Sequence, residues 1–109
     1  ADEPVDVGGT DLGPSPGDLI RMSLASCMAI TIRMYANRKG FPVKAIEVKV
    51  FSEEINGTLF TAKVRIEGDL DEAQRERMLT VGKKCPIHKL LTNPIAIAAT
   101  LDLVDLSEI

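Results

Sequence analysis

Cys27 and Cys85 are the only thiols in the chain, and each stands where sulfur chemistry is possible. Cys27 falls inside a long helical pattern, and Cys85 directly precedes a proline in Lys83-Lys84-Cys85-Pro86-Ile87-His88. Three readings compete: a redox pair, part of a metal site, or two unrelated buried thiols. In a redox pair, one sulfur attacked by an oxidant becomes a sulfenic acid. A second sulfur in reach condenses with it to a disulfide and protects it from irreversible oxidation. Cys85-x-x-His88 has the spacing of half a zinc site, but a structural zinc wants four ligands. Besides carboxylates the chain offers only Cys27, Cys85 and His88, so no metal is expected. His88, the one histidine, is expected to pack on the surface or to orient the Cys85 loop.

Taken locally, the two sites differ. Around Cys27 the helical neighbours are Ile20, Ser23, Leu24, Ile30, Thr31 and Met34, a mostly apolar stripe on which a thiol more often serves as a small hydrophobe. Reactivity would need a thiolate, and a thiolate in an apolar pocket needs a cation or donor close by. Arg21 and Arg33 lie six residues away on either side, about 120° off the cysteine's face. Neither easily serves within its own helix. Cys85 opens a helical turn at Pro86, where free N–H groups favour a thiolate, and Lys83 and Lys84 add positive charge. A plain capping thiol flanked by solvated lysines fits that segment equally well. The four methionines, Met22, Met28, Met34 and Met78, read as core filler, although around a thiol they would also suit a greasy pocket.

The elements that position these residues follow from punctuation and period. Residues 1–15 are rich in Gly, Pro and Asp and read as a loop. Ser15 as N-cap and Pro16 at the first helical position start a helix that runs to Lys39, with Gly40 as the stop. Between Met22 and Ile32 this helix is apolar nearly all round, so it should be covered on both sides, by a sheet and by another subunit. A homodimer is therefore expected. Alternating runs over Val43–Ser52 and Thr58–Glu67 predict two strands, with Asn56-Gly57 in a hairpin loop lengthened by Glu53 to Ile55. Asp71 with Gln74 three residues on predicts a capping box opening a helix to about Gly82. A short helix over Pro86–Leu91, a turn at Asn93-Pro94 and a last strand from about Ile95 to Val104 complete an α+β arrangement around an antiparallel sheet.

A chain of 109 residues is one domain with a modest core. Thirteen basic and sixteen acidic residues, spread along the chain, give a net charge of -3 and no electrostatic case for nucleic acid. The longest apolar stretch, Leu24 to Ile32, is interrupted by Ser26 and Thr31 and falls well short of the ~18 residues that suggest a membrane span. Nothing at Ala-Asp-Glu-Pro resembles a signal peptide, so a cytoplasmic address is expected, and there a cysteine pair is more often catalytic or metal-binding than a structural disulfide.

Several of these segments occur in a recognisable order. Gly13-Pro14-Ser15-Pro16, Leu19-Ile20, Leu24-Ala25-Ser26-Cys27, Met34-Tyr35-Ala36 and Lys39-Gly40 are followed by Leu70-Asp71-Glu72 and Cys85-Pro86-Ile87-His88. Together they resemble the OsmC/Ohr family of osmotically inducible and organic hydroperoxide resistance proteins, over about residues 8 to 104. The branch they look most like is the one often labelled only as predicted redox proteins. The resemblance implies an OsmC-like α+β fold, a long central helix on an antiparallel sheet, in an intertwined homodimer with active sites at the subunit interface. It also implies thiol-dependent reduction of organic hydroperoxides, with Cys27 peroxidatic, Cys85 resolving, and a dithiol such as a lipoyl protein as reductant. No cofactor is implied. Peroxidases of the family pair the reactive cysteine with a glutamate ten residues upstream after a proline, a slot that holds Gly17 here, with Asp18 beside it. Their activating arginine lies in N-terminal strands that this sequence does not contain. A non-enzymatic or altered-function binding protein with relic cysteines is the alternative reading.

Overall fold

The computed structural model describes residues 1–102. A single 3-10 turn, Val5–Val7, interrupts the leading loop, which closes on itself because the Asp2 carboxylate accepts hydrogen bonds from the backbone of Glu3, Thr10 and Leu12. Then follow helix α1 (Pro16–Lys39), strands β1 (Val43–Glu54) and β2 (Thr58–Gly68), helix α2 (Glu72–Gly82) and the short helix α3 (Pro86–Thr92).

Helix α1 begins and ends where its punctuation directs. The Ser15 hydroxyl accepts from the Asp18 N–H at 3.0 Å, and the Asp18 carboxylate accepts from the Ser15 N–H at 2.9 Å, so two orphan donors of the first turn are satisfied reciprocally. At the far end Gly40 takes φ +71, the left-handed conformation that closes a helix at little cost only for glycine. Helix α2 repeats the device with Asp71 and Gln74.

The two strands form an antiparallel hairpin whose register pairs Ile46 with Ile66, Val48 with Val64 and Val50 with Ala62. These apolar pairs share one face and line it for α1. The hairpin loop is tighter than expected: Glu53 and Glu54 stay in the ladder opposite Leu59 and Thr58, which leaves only Ile55-Asn56-Gly57 in the turn. Asn56 and Gly57 both adopt positive φ, the conformation that lets strands reverse in so few residues.

Packing divides into two clusters along α1. Ile32, Tyr35, Ala36 and Met78 join α2 to the Ile46/Ile66 end of the sheet. Leu24, Met28 and Cys85 join α3 to the Val50/Phe60 end. The core is small, seven buried hydrophobic residues among those described. Helix α1 meets the length and mean hydropathy of a membrane span by composition alone. One of its faces nevertheless packs on the sheet, and the helix carries Asp18, Arg21, Arg33, Arg38 and Lys39.

One expected element does not form. Residues 95–102 carry no strand, and Ile95, Ile97 and Leu101 are exposed; residues 103 and 104, the end of that expected strand, lie outside the described residues. A strand exists only as part of a pair, and an alternating sequence without a ladder partner cannot satisfy its backbone. The opposite face of α1 is likewise uncovered, with Ile20, Met22, Ile30 and Met34 exposed.

Candidate active site

Helix α1 carries Cys27 at the border of its buried face. Leu24 and Met28, on either side of it, point into the core, whereas Ser26 and Ile30 are exposed. Cys85 arrives from a different part of the chain. Its N–H donates to the Gly82 carbonyl at 3.2 Å as α2 ends, and Pro86 at the first position of α3 fixes the new helix direction. The resulting bend drives the Cys85 side chain against Leu24 and Met28, where it is fully buried. The two thiols, 58 residues apart in sequence, meet there: Cys27 packs on the same cluster and interacts with Cys85 through its side chain, and both sulfurs are free.

Burial pushes the Cys85 thiol pKa up, and the adjoining Cys27 thiol adds to the rise, while the His88 N–H, donated to Cys85 Sγ at 3.2 Å, opposes it. Burial wins, so Cys85 is a protonated thiol at neutral pH. The capping expectation for this residue is met by that His88 contact, and His88 thereby orients Cys85 through its backbone. A pH consequence follows. The folded chain keeps the Cys85 proton above the pH at which the unfolded chain releases it, so this contribution is intact below the ordinary thiol pKa, about 8.5, and lost as pH rises beyond it. The denaturant midpoint should therefore fall on the alkaline side, with a shallower fall in Cys85→Ala. An unchanged alkaline slope in that variant would refute the assignment.

Two recesses flank the pair. A groove of about 610 Å³ exposes Cys27 among Ile30, Met34, Tyr35, Val81 and Ile87. On the other side of Cys85 a cavity of about 520 Å³ is lined by Leu24, Met28, Phe60, Leu79, His88 and Leu91. The methionines split accordingly: Met28 and Met78 are core, and Met34 lines the thiol groove.

The charged groups near Cys27 in sequence turn elsewhere. Arg21 bonds Asp18 and donates to Ser52 Oγ at 3.0 Å, and Arg33 donates to the Val43 carbonyl at 3.1 Å. Asp18 serves the helix cap, and the Ser15 N–H and the Arg21 guanidinium hold its carboxyl below the usual range. It lines a separate groove with Arg21, Met22 and Ala25, away from Cys27. A side chain at Gly17 would start 3.5 Å from the Arg21 guanidinium. Among the described residues no group of three or more His, Cys, Asp or Glu side chains converges as a metal site.

The sequence reading overlooked one group. Arg38 lies on the Cys27 stripe, eleven residues on, and lines the same groove. Its helical offset was the available signal. Arg77, brought in by α2, donates from Nε to the Tyr35 hydroxyl at 3.3 Å, a partnership that only tertiary packing creates.

Solved structures share this architecture. A protein of the osmotic stress induced and detoxification response from Psychrobacter arcticus superposes with a TM-score of 0.71 at 24% identity, covering 83% of this chain and 69% of that one. An OsmC-like hydroperoxide resistance protein from Jannaschia gives 0.66 at 21% identity over 89% and 74%. An organic hydroperoxide resistance protein from Legionella pneumophila gives 0.63 at 20% over 83% and 70%. No curated protein sequence gives a match. At these identities the likeness speaks for the fold, a long helix on an antiparallel hairpin. The sequence itself matches the family model for OsmC-like protein over residues 9–100, and by that match, which takes in both cysteines, the chain belongs to the OsmC-like family.

Proposed function

We propose that the chain is a thiol-dependent reductase of organic hydroperoxides. The observation that carries this reading is the meeting of Cys27 and Cys85, both unbonded, at the floor of an apolar groove that exposes only Cys27. Cys27 sulfur attacks the terminal oxygen of R–O–O–H; the O–O bond breaks, an S–O bond forms, and the alkoxide leaves as the alcohol after protonation. Cys85 sulfur then attacks the sulfenic sulfur, the S–O bond breaks, and the hydroxide departs as water with the proton that burial keeps on Cys85. The sulfurs end oxidised as a disulfide and the peroxide reduced to an alcohol. A small dithiol, for instance the lipoyl group of a carrier protein, restores both thiols by two exchanges. Such a cycle suits a reducing compartment such as the cytoplasm.

Hydroperoxide resistance proteins among the structural neighbours support the substrate class. Assembly as a homodimer is supported by the exposed Ile20 and Met22 of α1, outside the Cys27 groove, and by the unpaired run at 95–102. It is supported too by a radius of gyration of 18.3 Å, against ~13 Å for a self-contained domain of about this length. The direct test is turnover of an alkyl or aryl hydroperoxide with a dithiol reductant, which should occur in the parent and drop to background in Cys27→Ser. No turnover in the parent, or full turnover in the variant, sinks the reading.

A second reading, a binding protein with relic cysteines, is favoured by one observation. The acid next to the Gly17 slot is consumed by the α1 cap and Arg21. Under that reading the parent shows no turnover, and Cys27 alkylates no faster than a free thiol screened by the same groove.

A further inference from the structure

The Cys27 groove has a cationic end. Cys27, Thr31, Met34 and Arg38 follow one another at spacings of four, three and four residues and all line it. The stripe therefore runs straight along α1, and the Cα atoms of Cys27 and Arg38 are about 16 Å apart at 1.5 Å per residue. A helical arginine leans toward the N-terminus, so the guanidinium reaches back toward the thiol and shortens that span.

Three cations gather there around one ring. The Arg38 guanidinium and the Lys39 ammonium each lie 5.9 Å from the Tyr35 ring centre, and Arg77 Nε donates to the Tyr35 hydroxyl. All three residues are exposed, and none enters an ion pair among the described residues, where the pairs are Asp18–Arg21, Glu47–Lys49 and Glu47–Arg65. In a chain of net charge -3 this is a local excess of positive charge with no ion-pair partner among the described residues. Attraction to the ring offsets only part of the mutual repulsion. An anion placed among the three offsets the rest.

The geometry points to Arg38, assisted by Lys39 and Arg77, as the specificity-determining end of this groove: it receives the anionic head, a carboxylate or phosphate monoester, of an amphiphile whose apolar chain lies along Met34, Ile30 and Ile87 toward Cys27. The inference rests on the peroxidase reading only for its catalytic arm, in which the amphiphile carries a hydroperoxide that reaches Cys27. Its binding arm is independent of any turnover.

The binding arm uses the Cys27→Ser protein and monomeric dodecanoate, dodecyl phosphate and dodecanol, followed by calorimetry and by the Arg Nε–H resonances. Dodecanoate or dodecyl phosphate should bind about tenfold tighter than dodecanol, one charge-assisted contact's worth, and perturb Arg38. Arg38→Gln should erase the difference. Which of the two anions binds names the head group. Equal binding of anion and alcohol, or a preference that persists in Arg38→Gln, overturns the proposal. In the catalytic arm, kcat/KM for a carboxylated alkyl hydroperoxide should exceed that for its methyl ester by about tenfold in the parent. Arg38→Gln should bring the two kcat/KM values together, the loss falling on the acid. Equal rates for acid and ester in an active parent count against it. Silence toward both peroxides with the binding preference intact discards the peroxidase reading and upholds the anion site.

Discussion

Cys85→Ser should convert a cycling protein into one that stops after a single attack. Serine at this position keeps the fold: it is nearly isosteric, and its oxygen can accept from the His88 N–H as the sulfur does at 3.2 Å. Serine is also among the preferred N-cap residues. Burying a hydroxyl without a partner costs ~1–3 kcal/mol; the retained cap removes most of that. Only the chemistry changes. With hydroperoxide the variant should hold one sulfenic acid per chain at Cys27, trapped by a carbon nucleophile such as dimedone and seen as an adduct by mass spectrometry. Excess peroxide should then drive it to the sulfinic acid, because no second sulfur intercepts it. The parent, treated alike, should show the intramolecular disulfide and resist further oxidation. A variant that turns over as fast as the parent removes Cys85 from the mechanism, and one that forms no adduct removes Cys27.

The asymmetry behind that expectation was partly visible in the sequence. Cys85 before Pro86 suited a thiolate favoured by the helix N-terminus and a plain capping thiol equally well; burial decides against the thiolate, and the cap is made through His88. The limits of α1 were readable to the residue because Ser15, Pro16 and Gly40 are local signals with local effects. The same holds for Asp71 with Gln74. What the pattern could not supply is distance between elements. Nothing in the spacing of Cys27 and Cys85 says that they touch; contact requires α3 to fold back on α1, and that is decided by Leu24, Met28, Ile87 and Leu91 packing together. The Tyr35–Arg77 bond is of the same kind, made by two helices that the strands separate in sequence. The terminal run shows the reverse error. Ile95 to Leu101 alternates like a strand, but alternation states only which face would be buried if a partner were present. Glu53 and Glu54 misled for a simpler reason: charged residues look like a loop, yet at the exposed end of a hairpin they continue the ladder freely.

Gly82→Ala should destabilise the protein and slow formation of the Cys27–Cys85 bridge, against the usual preference of helices for alanine. Gly82 ends α2, and replacing a helical glycine by alanine ordinarily gains up to ~1 kcal/mol. Here a Cβ would lie 2.9 Å from Ile32 Cδ1 and 3.1 Å from Ile32 Cγ1, with Met28 Cε at 3.7 Å. Those neighbours are side-chain tips and could yield at a surface. Ile32, which makes both close approaches, is however 0% exposed and packed among Tyr35, Ala36 and Met78, so it has little room to yield. Overpacking of this kind costs ~1–3 kcal/mol, which outweighs the propensity gain over most of that range. Relief has to come from moving the end of α2 away from α1, and Cys85 is tethered to that end through its N–H on the Gly82 carbonyl. The shift therefore draws one thiol from the other. In a domain of this size each kcal/mol is worth roughly 4–8 °C in Tm, so the melting temperature should drop measurably while peroxide-driven disulfide formation slows. Trimming the obstacle should reverse both effects: Ile32→Val in the Gly82→Ala background removes the Cδ1 methyl that makes the closest approach. The double variant should then be more stable than Gly82→Ala alone, although Ile32→Val by itself costs ~0.5–1.5 kcal/mol. Additive losses in the double variant would show that Gly82 is needed for something other than its contact with Ile32.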